Sequence, residues 1–492
     1  MSAENTPVDV LRTPEAGGRV IRGGALRAAG YGAGMVVGAL TAVFLTRGLG
    51  VDDFGRYGTV AALLGIVSTI TDAGLTAVGS RELAIRPPGR ARQELLRQLV
   101  ALRVVASFLA VLAAAGFAVV AGYDATMVWA TLLGGLGVLL VNTQATAMMP
   151  LSVELRLGAV TAFELLKQAL TLAGVAALAL AGASLLPYFA VQAIVGGLVL
   201  LLTPPLVGGV RVLLPRLERA SALSLLREAL PVAVAIAMNV LYLRLLVIMV
   251  SLLDGDTETG YYATAFRVFE MLVGLPTLAL SVALPLLAVA AAEDLERLRY
   301  GLQRTLELAV VASGGIALVT VALAPAVPLL FGDEFAGAVP MLRIQAWALI
   351  PLFAGQVLGL ALLSLRRQRA LALGNALAVV VVVAVGLALI PPYGGVGAAI
   401  AGIAAEVALC ATLVALLVRA APATAPGFGF LWRPGLALGA GAAPLLVPGL
   451  GAAVAGVLSV AAFAVVALVA RAVPVEVFEA LARRDPSSRG GS

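Results

Sequence analysis

Histidine is absent from the 492 residues, and cysteine occurs once, at Cys410. The first absence removes the commonest general base and the commonest metal ligand. The second excludes an intrachain disulfide. Charge is scarce as well: 12% of residues are Asp, Glu, Lys or Arg, about half the ~25% typical of soluble domains. Aromatics make up only 5%, and Lys167 is the single lysine among 33 basic residues. What fills the chain is apolar: 61% of residues are hydrophobic, gathered into runs long enough to cross a ~30 Å hydrocarbon core. This composition predicts an all-α polytopic membrane protein and excludes a soluble one. The net charge of +6 is spread over many short loops, the signature of membrane topology rather than of a nucleic-acid partner. No metal centre, cofactor or catalytic constellation is expected.

Fourteen spans are predicted, at 25–46, 57–79, 99–121, 126–149, 161–182, 186–207, 230–253, 261–289, 306–330, 342–364, 370–390, 396–418, 435–449 and 451–471. The first is too long for a signal-peptide core and lacks a small-residue cleavage site, so it reads as a retained helix. The thirteenth is short and interrupted by Gly439, Gly441, Pro444 and Pro448. With this count, 27 of the 33 basic residues fall in segments on the N-terminal side of the membrane. Only Arg47 and Arg56 fall on the opposite side; Arg103, Arg244, Arg267 and Arg343 lie within spans or at their ends. By the positive-inside rule both termini are cytoplasmic, in the inner (plasma) membrane.

A repeat is visible at the turns. Gly50-Val-Asp-Asp-Phe-Gly55-Arg-Tyr57-Gly-Thr59 aligns with Gly255-Asp-Thr-Glu-Thr-Gly260-Tyr-Tyr262-Ala-Thr264, and both read G-x-x-[DE]-x-G-x-Y-x-T. The offset of 205 residues places span seven over span one. Six spans per copy is an even number, so the copies keep one orientation and form two six-helix lobes related by an axis along the membrane normal. The predicted organisation is a cytoplasmic tail (1–24), an N-lobe (25–225), a C-lobe (226–420), a C-terminal helix pair (421–472) and a cytoplasmic tail (473–492).

Charges inside the spans are the candidate site residues. An ionised side chain within a membrane helix costs at least about 2.5–3.5 kcal/mol on insertion scales and faces a partner or a wet cavity. Arg244 in span seven and Arg267 and Glu270 in span eight lie ~9–14 Å below the outer surface. Glu270 is placed to pair with Arg244, leaving Arg267 as surplus positive charge. Two readings stand: a cavity in which Arg244 and Arg267 hold an anionic group, bidentately and always charged, or a structural charge cluster. Asp72 pairs with Arg103 or carries a coupling proton or cation. Glu406, mid-span in span twelve, is the isolated candidate for a proton-linked carboxylate. Neutral polar residues such as Asn142 and Gln345 are expected to form interhelical hydrogen bonds. Pro276, Pro285 and Pro351 can kink their helices.

Five segments, in order, resemble the oligosaccharide-flippase (Wzx-type) branch of the multidrug/oligosaccharidyl-lipid/polysaccharide (MOP) exporter superfamily, which includes lipid II flippases and multidrug and toxin extrusion (MATE) transporters. They begin at Phe44-Leu-Thr-Arg-Gly-Leu-Gly-Val-Asp-Asp-Phe-Gly-Arg-Tyr57, Asp72-Ala-Gly-Leu75, Gly260-Tyr-Tyr-Ala-Thr-Ala-Phe-Arg267, Phe331-Gly-Asp-Glu-Phe335 and Pro392-Tyr-Gly-Gly-Val-Gly-Ala-Ala399. The resemblance implies two lobes around a central cavity, alternating access, and movement of a polyprenyl-pyrophosphate-linked glycan to the outer leaflet beside membrane lipids and other polysaccharide-assembly proteins. It implies a non-enzymatic carrier. Many relatives read Arg-Ile-Asp at the centre of span seven, where this chain has Arg244-Leu-Leu246, so the acid of that motif is missing. A multidrug/cation antiporter is the alternative, and it calls for acidic and aromatic cavity residues.

Overall fold

The computed structural model describes residues 14–87, 89–447, 449 and 451–472. Among them there are helices and no strands. The helices used below are α1 (Pro14–Ile85), α2 (Arg90–Val120), α3 (Ala125–Ala147), α4 (Leu157–Leu180), α5 (Leu185–Leu201), α6 (Arg219–Leu253), α7 (Asp256–Glu293), α8 (Leu295–Leu323), α9 (Ala338–Ala346), α10 (Leu349–Ser364), α11 (Gln368–Ala420), α12 (Trp432–Ala442) and α13 (Ala452–Val469).

Seven helices among the described residues are long and apolar enough to cross a membrane. Two are of double length, Ala29–Ile85 and Gln368–Ala420. Each breaks at a non-helical glycine, Gly50 in α1 and Gly394 in α11, so each carries two of the predicted spans. The α9–α10 pair forms a further span, bent by 42°, with the break just ahead of Pro351. With α5, α7, α12 and α13, the helices account for all fourteen predicted segments. Large apolar side chains such as Phe108, Trp129, Ile194, Val380 and Leu387 stand exposed along them. Water would penalise that surface; lipid accepts it. The chain is a multi-pass membrane protein.

The described chain separates into two compact units: one of residues up to Leu49 plus Leu63–Ala237, the other of Gly50–Ala62 plus the chain from Met238. In the first, α3 lies between α2 and α5. Asp124 caps α3 by accepting from the Met127 amide at 2.8 Å, satisfying one of the orphan donors of a helix start. Where the end of α1 meets the start of α2, the unit closes over an apolar cluster that includes Leu83, Leu95, Leu99 and Met149. In the second, α10 packs against α7, α8 and α11. The C-terminal helices α12 and α13 pack on each other and on α8, burying Leu318, Ala437 and Phe463 together.

The two repeated decapeptides adopt one local geometry. Gly50 and Gly255, equivalent in the repeat, both have positive φ (72° and 93°), a conformation costly for any residue with a Cβ. Downstream, Thr59 donates to the Gly55 carbonyl at 3.1 Å, and Thr264 to the Gly260 carbonyl at 2.8 Å.

Candidate functional site

The turn at Gly255 makes α6 and α7 consecutive antiparallel neighbours, so charges at matching depth meet. Arg244 Nη2 donates to Glu270 Oε1, and Arg267 Nη1 reaches Glu270 Oε2 at 3.3 Å from one turn away. One carboxylate is therefore shared by two guanidinium groups, which leaves one net positive charge. Sequence reading assigned Glu270 to Arg244 alone; the i,i+3 spacing lets it serve both. The cluster is not sealed: the side chains of Arg244, Glu270 and Arg267 are 25%, 31% and 46% exposed. Arg267, the most open, makes a single long hydrogen bond, to Glu270, among the described residues. Most of its five donors stay available for another oxyanion.

Asp72 and Arg103 are also brought together, at 2.7 Å. Arg103 has no exposed surface. Its Nε donates to Thr146 Oγ1 at 2.9 Å, Nη1 to the Thr71 carbonyl at 2.6 Å, and Nη2 to Thr76 Oγ1 at 2.8 Å. Thr76 in turn donates to Asp72 at 2.6 Å. A buried guanidinium with these partners is a fastener between helices. Asp72→Ala leaves that charge uncompensated. It is expected to cost about 2 kcal/mol, read as a lower melting temperature in detergent, with Asp72→Asn intermediate.

Glu406 lies in the second unit, 3% exposed, and Tyr242 Oη donates to its Oε1 at 2.9 Å. No cationic side chain among the described residues pairs with it. It opens on a small cavity walled by Tyr242, Leu246, Tyr262, Phe266, Gln345 and Gly402, with room for about one water molecule. Gln345 Nε2 donates to Tyr262 Oη at 3.3 Å, while its Oε1 is buried without a hydrogen-bond partner. Leu246, the position where the resemblance led one to look for an acid, lines this same cavity. Its one carboxylate comes from α11 instead. Sequence reading missed Tyr242 because a tyrosine in an apolar run carries no charge to mark it.

The geometry of the neutral residues is structural. Asn142 accepts from Ser68 and donates to Thr71, both at 3.2 Å, tying α3 to α1.

A family model described as "Polysaccharide biosynthesis protein" matches residues 20–290. No curated protein matches the sequence significantly. Among solved structures, the chain is similar to a lipid II flippase, MurJ, in an inward closed conformation: TM-score 0.71, 10% identity, covering 94% of this chain and 100% of that one. It is similar to a multidrug-resistance MATE-family transporter of the MOP superfamily in an inward-facing conformation: TM-score 0.62, 15% identity, covering 79% and 95%. It is also similar to a MOP-superfamily transporter from Pyrococcus furiosus Vc1 with a binding pocket of reverse polarity: TM-score 0.57, 12% identity, covering 85% and 99%. At these identities the likeness is one of fold: the all-α MOP transporter architecture.

Proposed function

Because the chain belongs to the polysaccharide biosynthesis protein family, we propose that it carries a lipid-linked oligosaccharide from the cytoplasmic to the outer leaflet of the inner membrane by alternating access. The observation that carries this reading is the partly open Arg244–Glu270–Arg267 cluster within two apolar helices. A glycan cannot enter hydrocarbon, since each unsatisfied polar group costs several kcal/mol. It needs a wet path, while its lipid tail remains in the bilayer. A pyrophosphate is the fixed feature of such substrates whatever the sugar, and a net-positive arginine pair matches it with charge-assisted, bidentate hydrogen bonds. Glu270 bridges the two arginines and offsets part of their charge until the anion arrives. No bond is made or broken, so the protein acts as a carrier and not an enzyme. Both termini are cytoplasmic in this reading, and the glycan-assembly proteins on either face are its functional partners.

Glu406 is assigned to energy coupling. A buried carboxyl without a cationic partner is stabilised by taking up a proton or a small cation, and the Gln345 Oε1 atom offers a second acceptor in the same cavity.

The multidrug/cation antiporter reading gains one observation: this cavity combines an acid with the rings of Tyr242, Tyr262, Phe266 and Phe269. Its size suits water or a small ion rather than an organic cation, which favours the coupling assignment. Analysis of lipid-linked intermediates in a deletion strain decides between them. The flippase reading expects one intact oligosaccharide-lipid to accumulate on the cytoplasmic leaflet. Unchanged intermediates together with lost drug resistance would select the antiporter.

A further inference from the structure

Every basic residue in the chain is an arginine except Lys167, and the fold places that exception inside a membrane span. α4 is long and apolar enough to cross. At 1.5 Å per residue, Glu164 lies ~10 Å and Lys167 ~15 Å from its start, too deep for the lysine to snorkel to either surface. Lys167 Nζ meets Glu164 Oε2 at 2.8 Å. At 100° per residue, Thr161, Glu164, Lys167, Gln168 and Thr171 share one side of α4. Val175, the buried residue of this helix, lies on that same side. Ala162, Leu166, Ala169 and Ala173, all exposed, lie on the other. The polar side of α4 therefore faces protein, and the apolar side faces lipid. Glu164 is 50% exposed on the protein-facing side, so what it meets is a polar space and not hydrocarbon. Two glycines of α1 make room for the same face. A Cβ on Gly30 would strike Thr161 Cγ2, and one on Gly34 would come within 2.8–2.9 Å of both ends of the Gln168 amide. Gln168 Oε1 has no hydrogen-bond partner.

The Glu164–Lys167 pair fastens nothing. Both partners stand on one helix, three residues apart, and among the described residues neither side chain bonds to another helix. Arg103 is the contrast: it is sealed, and it ties α2 to α1 and α3. An i,i+3 pair contributes little to stability, less than either charge costs inside a span, so stability does not account for it. We propose that Glu164, Lys167 and Gln168 form a saccharide subsite in the first unit, which takes the hydroxyl groups of a neutral sugar and sets which glycans the carrier accepts. The carboxylate can accept from both O–H groups of a vicinal diol, and the ammonium donates to a hydroxyl or ring oxygen. The Gln168 amide, unpaired at its oxygen, can turn to accept a further O–H. Donors and acceptors stand side by side, as a hydroxyl requires, and the two charges cancel. A phosphate finds no surplus positive charge here, unlike at the Arg244–Glu270–Arg267 cluster. A uronic acid meets the Glu164 carboxylate. A site built to hydrogen-bond hydroxyls rejects a ligand without them, because its polar groups are then left unpaired. The subsite rests on the flippase reading and adds to it the class of sugar.

The test uses the purified full-length protein and three probes: a polyprenyl pyrophosphate bearing one neutral hexose, the same lipid bearing a hexuronic acid, and the bare polyprenyl pyrophosphate. Wild type is expected to bind the neutral-hexose lipid about tenfold more tightly than either of the others. Glu164→Gln leaves Lys167 without its counter-charge and should reverse the order of the two sugar lipids. Lys167→Met should erase most of the neutral-hexose advantage and leave binding of the bare lipid unchanged. Exchanging the charges, Glu164→Lys with Lys167→Glu, should keep the neutral preference. The single lysine also gives a readout on the unaltered protein. An N-hydroxysuccinimide ester labels Lys167 and the N-terminal amine, which peptide mass spectrometry resolves, and the neutral-hexose lipid should slow labelling of Lys167 about tenfold relative to the bare lipid. Lys167 left unlabelled in the protein alone would show the pair sealed from water and overturn the subsite. So would equal protection by the bare lipid, or binding of all three lipids in an order that neither Glu164→Gln nor Lys167→Met shifts. Wild type that binds none of the three overturns the flippase reading as well.

Discussion

Arg267→Ala will reduce glycan export about tenfold or more while leaving the protein folded, and Arg244→Ala with Arg267→Ala will abolish it. A hydrogen bond to a charged group contributes about 1.5–3 kcal/mol, and each 1.4 kcal/mol is a factor of ten in binding. Arg267 gives up one 3.3 Å bond to Glu270 when it is removed, and its side chain is 46% exposed, so the fold loses little. Arg244 is more buried and directly paired; its removal leaves Glu270 with Arg267 alone and should lower stability as well as export. Arg267→Lys keeps the charge but not the fork, and it should export at an intermediate rate. Glu270→Gln frees both guanidinium groups: substrate should bind more tightly and leave more slowly. The measurements are export in a complementation assay alongside melting temperature for each variant. A purely structural cluster predicts that export and melting temperature fall together across the series. A substrate site predicts that they separate, most clearly at Arg267. Full export by Arg267→Ala would remove the proposed role.

Legibility followed cost. Each charge in an apolar run stands out because the bilayer penalises it, so Arg244, Arg267, Glu270, Asp72, Arg103 and Glu406 could be singled out from the sequence. Pairings between near neighbours were readable too. Glu270 lies three residues from Arg267 and across a single turn from Arg244, and Asp72 and Arg103 sit on consecutive spans. The spans themselves were fixed by run length and loop charge. What was hidden is what neutral side chains do. Thr71, Thr76 and Thr146 complete the shell of Arg103, and threonine in a membrane helix is ordinary, usually bonding its own preceding turn. Tyr242 meets Glu406 across 164 residues, a pairing that only tertiary packing creates. The decapeptide repeat could be seen as an echo. That its two copies seat on one another required the positions of Gly55 and Gly260.

Glu406→Gln is the sharpest probe of coupling. The amide keeps the size of the side chain and can still accept from Tyr242, whose hydroxyl is the hydrogen-bond partner seen here, so the fold should hold. What it cannot do is change charge. If Glu406 takes up and releases a proton or cation during each cycle, Glu406→Gln should slow driven transport in proteoliposomes about tenfold or more, the scale on which positioned proton-transfer groups act. The dependence of the remaining flux on the pH or cation gradient should flatten. The other groups facing the cavity, Tyr242, Tyr262 and Gln345, are neutral and supply no substitute carboxylate. Leu246 occupies the cavity wall where an acid is absent from this chain, so Leu246→Asp in the Glu406→Gln background offers a direct rescue. It moves the carboxylate from α11 to α6 while keeping it in the same cavity. Recovery of gradient dependence in that double variant would assign coupling to the cavity and not to one helix. Wild-type flux with unaltered ion dependence in Glu406→Gln alone would end the assignment, and the acid would then be a hydrogen-bonded strut between α6 and α11.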